Sequence, residues 1–80
     1  MPAETDQRKA LASAVRELRG RRNVTQEELS TQAGLGINYV SQLERGYHSA
    51  SWVAVGRLAV ALNVPLSELA DLYERRLRET

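Results

Sequence analysis

Apolar residues recur along the chain at intervals of three and four, with polar residues between them, and nowhere alternate at every second position. Ala, Leu, Glu, Arg and Gln dominate and Phe is absent, so every segment reads as helix. Leu11, Ala14, Val15 and Leu18 make the first stripe. It predicts a helix that starts after Thr5 or Asp6, either of which can cap it, and ends at Gly20 with Asn23. Thr25-Gln26-Glu27-Glu28 has the form of a capping box and opens a short helix to about Gln32 that buries Leu29 and Ala33. Gly34 breaks it, and Val40 and Leu43 resume a stripe that stops at Gly46. Ser51 can cap a fourth helix carrying Trp52, Val55, Leu58, Ala59 and Leu62, which Asn63 and Pro65 close. A last helix runs from about Leu66 to Arg78, with Leu66, Leu69, Ala70, Tyr73 and Leu77 on one side. The fold class is all-α, five helices without repeats or linkers, the first few residues forming a loose arm.

Size narrows what such a chain does. Its 80 residues make one domain, spanning 1–80. A domain this small buries only about 60% of the surface its unfolded form exposes, and usually needs a staple. With no Cys and one His, disulfide and metal are both excluded, which leaves association with a second copy. The lack of Cys also suits a reducing compartment. No apolar run approaches the ~20 residues of a membrane span, and no charged-then-apolar segment opens the chain. The expected location is cytoplasmic, away from membranes.

Catalysis is disfavoured. His48 is the one side chain that titrates near neutrality, so Cys–His and metal-cluster chemistry is ruled out, and no cofactor is expected. The net charge of +1 is uninformative, but four of the eleven basic residues fall between Arg16 and Arg22 and sketch a positive patch.

The segment Gln26 to Gly46 carries the functional signal. Two short helices joined by a tight turn at Gly34 make the arrangement of a helix-turn-helix, although spacing alone would also suit a generic helical hairpin. Its letters go further. Thr25-Gln26 with Leu29, Ala33-Gly34, Val40-Ser41-x-Leu43-Glu44-Arg45-Gly46 and Leu58-Ala59-x-Ala61-Leu62 resemble the Cro and phage-repressor helix-turn-helix family. Arg19, seven residues before Gln26, also falls on its pattern. The resemblance spans about Ala12 to Leu69. It implies a compact, lambda-repressor-like bundle of five helices with the helix-turn-helix at about 25–45. It also implies a recognition helix at about 36–45 and dimeric binding to double-stranded DNA.

Read without that resemblance, the recognition helix turns Val40 and Leu43 inward with Gly36 and Tyr47. Ile37, Asn38, Ser41 and Gln42 then lie on the opposite side. The Asn and Gln amides suit adenine edges in the major groove, and Ile37 suits a thymine methyl. A merely solvated face would more often carry Glu and Lys at i, i+4 spacing. Phosphate contacts are expected to frame this face. Gln26 opens the second helix, whose free backbone N–H groups favour an anion, and the resemblance adds its amide as a donor. Arg16, Arg21 and Arg22 either meet phosphates or cover apolar surface. Tyr39 either offers its hydroxyl or packs on the second helix, and Arg45 either meets phosphate or stabilises a helix end. His48 reads as a solvated loop residue or as a phosphate contact below pH ~6.5.

For Arg19 and Glu44 the resemblance implies an internal ion pair between the first and third helices. Val53 and Val60 lie where relatives carry polar residues and Leu72 lies off the main stripe; with Trp52, which belongs to the inward stripe of the fourth helix, they predict a dimer interface through the last two helices (the last, at about 66–78, included). Gly56 inside the fourth helix suggests that another group comes close there. The expected function is a sequence-specific transcription regulator, a homodimer on an inverted repeat. The competing expectation is a protein-interaction module whose partner is a cognate toxin, polymerase or another regulator.

Overall fold

Five helices follow one another in the predicted order. In the computed structural model, which describes residues 1–79, they are α1 (Glu4–Arg22), α2 (Gln26–Ala33), α3 (Ile37–Glu44), α4 (Trp52–Ala61) and α5 (Leu66–Arg78). The start of α1 is earlier than its capping candidates suggest, because Ala3 precedes it with no side-chain cap. Glu4 and Asp6 instead place negative charge in the first turn, and Glu4 pairs with Arg8 one turn later at 2.9 Å. Gly20 stays helical. The chain leaves α1 at Asn23, left-handed at φ 57°, whose N–H reaches the Arg19 and Gly20 carbonyls.

Packing follows from which stripes meet. α1 lies against α3 and α5, while α2 lies against α3 and α4. Val15 and Leu18, Leu29, Val40 and Leu43, Leu58 and Leu62, and Leu69 and Leu72 fill the shared core. Among the described residues no single helix is long and apolar enough to cross a membrane, and no group of side chains could hold a metal ion.

Several positions correct the sequence-based expectation. Leu72, expected at a dimer interface, is 1% exposed. The reason is that α5 turns its Leu69–Leu72 edge onto α1, so Leu72 belongs to the core of the subunit. Leu66, Tyr73 and Leu77 then sit at the margin. With Trp52 they border an open apolar groove of about 640 Å³ between the starts of α1 and α4 and the length of α5. Trp52, expected on the inward side of α4, is 74% exposed, and Tyr47 also faces out. A Cβ on Gly56 would meet nothing within 4 Å, so no group of the same subunit explains that glycine.

The buried position of Leu72 has a measurable consequence. Leu72→Ala should cost about 2–5 kcal/mol by leaving a cavity against α1. Gln32→Ala, at an exposed position of α2, should stay within about 0.5 kcal/mol of the parent. Chemical denaturation of the two variants compares them directly.

Candidate nucleic-acid interface

The helix-turn-helix is locally determined. Thr25 Oγ1 accepts from the Glu28 N–H at 3.0 Å while the Thr25 N–H donates to Glu28 Oε1 at 2.9 Å, which closes the start of α2. Ser30, buried within α2, donates to the Glu27 carbonyl at 2.8 Å. Gly34, at φ 68°, adopts a conformation that costs a residue with a Cβ. Its N–H and that of Leu35 satisfy the last carbonyls of α2, and Gly36 then caps α3 through its backbone alone. Leu29 and Ala33 face Val40 and Leu43, so α3 can present only one side to solvent.

That side is uncharged. Ile37 is 43% exposed, Asn38 and Gln42 are exposed, and Ser41 is partly exposed. Asn38 and Gln42 stand one turn apart with Ile37 and Ser41 beside them, so four groups suited to base edges share one ridge. Tyr39 lies at its margin and is half-buried, its ring centroid 4.7 Å from that of His48. The His48 Nδ1 lies 2.9 Å from the Ser49 carbonyl oxygen. Arg45 closes the helix, with its guanidinium 5.7 Å from the centre of the Tyr47 ring.

Beneath the ridge sits an ionic mount. Glu44 is the last residue of α3 and its carboxylate is almost fully buried. Arg19 from α1 engages it twice, Nε to Oε2 at 2.7 Å and Nη2 to Oε1 at 2.9 Å, and donates Nη1 to the Val24 carbonyl at 3.0 Å. Gln26 adds Nε2 to Glu44 Oε1 at 2.9 Å, and Arg16 Nη1 donates to the Glu44 carbonyl. Two helices, α1 and α2, thus hold the end of α3. The hydrogen bonds to Glu44 raise the Arg19 pKa above the ordinary guanidinium value; partial burial opposes this and the Glu44 charge adds to it. A raised pKa for a cation stabilises the fold below the unfolded value and is lost only above the folded one, so Arg19 remains charged at every working pH.

The basic residues divide. Arg16 and Arg45 flank the end of α3. Arg21 instead pairs with Glu17 and lies 3.9 Å from Glu68, and Arg22 donates to the Ala61 carbonyl at the end of α4. Both therefore tie the end of α1 to the α4–α5 side. The Gln26 amide, considered for phosphate, points to Glu44 because that carboxylate needs donors beyond Arg19. Lys9 is a functional candidate with no signal of its own in the sequence. It lies beside Gly46 just past α3, a proximity only the packing of α1 creates.

The helix-turn-helix domain family matches residues 10–72, most of the chain and the whole of α2 and α3. The chain belongs to that family. Helix-turn-helix proteins of this kind are DNA-binding transcription regulators rather than enzymes. The chain is 38% identical over 64 residues to an uncharacterised regulator of the same type, y4dJ of Sinorhizobium fredii, covering 80% of this chain and 83% of that protein. It is 34% identical over 68 residues to the cryptic phage transcriptional repressor RstR of Vibrio cholerae, covering 85% and 61%. The crystal structure of the restriction–modification controller protein C.AhdI from Aeromonas hydrophila superposes with a TM-score of 0.75 at 35% identity, over 78% of this chain and 94% of that one.

Proposed function

We propose that the chain regulates transcription as a homodimer on an inverted-repeat operator, with α3 of each subunit in the major groove. One observation carries this reading: an exposed, uncharged ridge of Ile37, Asn38, Ser41 and Gln42 on a helix whose end is fixed by the Glu44 mount. Arg16, Tyr39, Arg45 and the N–H groups that open α2 border the ridge as backbone anchors. The similarity to a repressor and a controller protein fits an operator as the target.

The second subunit follows from α4. Trp52, Val53 and Val60 are each at least 65% exposed, with Gly56 open between them, an apolar strip that packing against a second copy would remove from water. Paired across a two-fold axis, two such strips set the reading helices about 34 Å apart, one turn of the duplex. Val60→Asp should convert the dimer to monomers in sedimentation equilibrium while leaving the helical circular dichroism unchanged. A variant that stays dimeric would place the interface elsewhere.

Fragments selected from random DNA should share two half-sites in inverted order. Should the dimer neutralise about six phosphates, log K against log[salt] falls with a slope near −5. A flat salt profile would remove phosphate-led binding. The same apolar strip favours a second reading, a module that binds another protein such as polymerase or a toxin. Failure to enrich any DNA sequence, together with an intact fold, is the outcome that selects it.

A further inference from the structure

We infer that the contact with nucleic acid extends beyond the helix-turn-helix onto α1, where Lys9 and Ser13 join Arg16 and Arg45 in a track for the phosphate backbone bordering the reading helix. The inference rests on the proposed DNA binding and adds to it residues that lie outside the motif.

Three observations place this track. A Cβ on Gly46, the residue that leaves α3 at φ 76°, would lie 3.6 Å from Lys9 Cγ and 3.7 Å from Lys9 Cα. The first half of α1 therefore runs directly against the end of the reading helix. Lys9, Ser13 and Arg16 are spaced i, i+4, i+7, so they share one side of α1. They line, with Arg45, the same shallow depression. The charge there is unbalanced: Lys9, Arg16 and Arg45 have no ion-pair partner among the described residues, whereas neighbouring Arg76 and Glu79 pair with each other at 3.1 Å and Arg76 also reaches Glu17. Elsewhere on α1, Arg8, Arg19 and Arg21 all face carboxylates.

Unpaired cations in a row suit a polyanion of regular spacing. Lys9 to Arg16 spans about 10 Å along the helix axis. A duplex strand offers one phosphate per about 3.4 Å of its own axis, so two or three phosphates fall within reach. Ser13, between the cations, supplies a neutral donor. Because Arg16 also donates to the Glu44 carbonyl, the track is tied to the same residue that anchors the reading helix. Its contribution is to affinity and register and carries no base preference.

The test is a salt titration of the full chain and of Lys9→Ala on the selected operator and on a scrambled duplex, with ethylation interference to map phosphates. Lys9 is exposed and Ala favours helix, so the variant folds. Removing one phosphate contact per subunit should reduce the slope by about 2 per dimer, so the affinity lost between 50 and 200 mM salt becomes about tenfold smaller. The operator-to-scrambled ratio should stay constant, and one protected phosphate per half-site should disappear. An unchanged slope and footprint in Lys9→Ala, with the parent chain still salt-dependent, overturns this inference and leaves the DNA reading intact. A shifted operator-to-scrambled ratio overturns it as well, since Lys9 would then read bases. A parent chain that shows no salt dependence overturns the proposed function itself, and this inference with it.

Discussion

Arg19→Ala is expected to melt at least ~12 °C below the parent chain. Glu44 is buried at the junction of α1, α2 and α3, and without Arg19 it keeps only the single hydrogen bond from Gln26 to its carboxylate. Removing one half of a buried pair costs about 3–5 kcal/mol, because the remaining charge loses its compensation. That is a large share of the ~5–15 kcal/mol that holds a typical domain together. The mechanism makes a second, sharper claim. Adding Glu44→Gln to Arg19→Ala removes the stranded charge and should restore part of the lost melting temperature. Calorimetry on the two variants decides it: equal melting of Arg19→Ala and the parent would make Arg19 a surface contact, and a lower melting point for the double variant would deny that the stranded charge is the cause.

Asn38→Ala combined with Gln42→Ala is expected to abolish discrimination with the fold intact. Each amide paired with a base edge contributes about 1–3 kcal/mol, so losing both narrows the preference for the operator over a scrambled duplex by roughly 30-fold to more than 10⁴-fold. Non-specific affinity should survive, since phosphate contacts supply it. Both side chains are exposed, so stability should move by less than about 0.5 kcal/mol for each. Fluorescence anisotropy on the two duplexes measures the ratio. An undiminished ratio would mean that other residues read the sequence.

These two variants probe opposite kinds of information in the chain. The helix limits were legible because they are local. Thr25 with Glu28, the left-handed Gly34 and the Ser51 hydroxyl on the Ala54 N–H each settle an element end within four residues. Asn23 and Asn63 end α1 and follow α4 for the same reason. The burial of α5 was legible only in part. Leu69, on the predicted stripe with Leu66, Ala70, Tyr73 and Leu77, is buried as expected, but Leu72 lies off that stripe and is buried only because α1 packs against that edge of α5.

The arginines show the same limit. Arg16, Arg21 and Arg22 are indistinguishable by type and neighbourhood. Their roles diverge because the Glu44 carbonyl, Glu68 and the Ala61 carbonyl lie far away in sequence. Sequence marks residues that carry their own partner within a turn or two. It is silent on partners supplied by tertiary packing, and Lys9 beside Gly46 is the clearest instance.

The Glu44 junction separates two jobs within eight residues of α3. Val40, Leu43 and Glu44 are buried in the scaffold, whereas the side chains of Ile37, Asn38 and Gln42 are exposed and that of Ser41 partly so. Under the proposed function, target preference is therefore free to drift without endangering the architecture. A lineage built on this frame would then acquire new binding sites by exchanging four side chains, much as one handle accepts many keys.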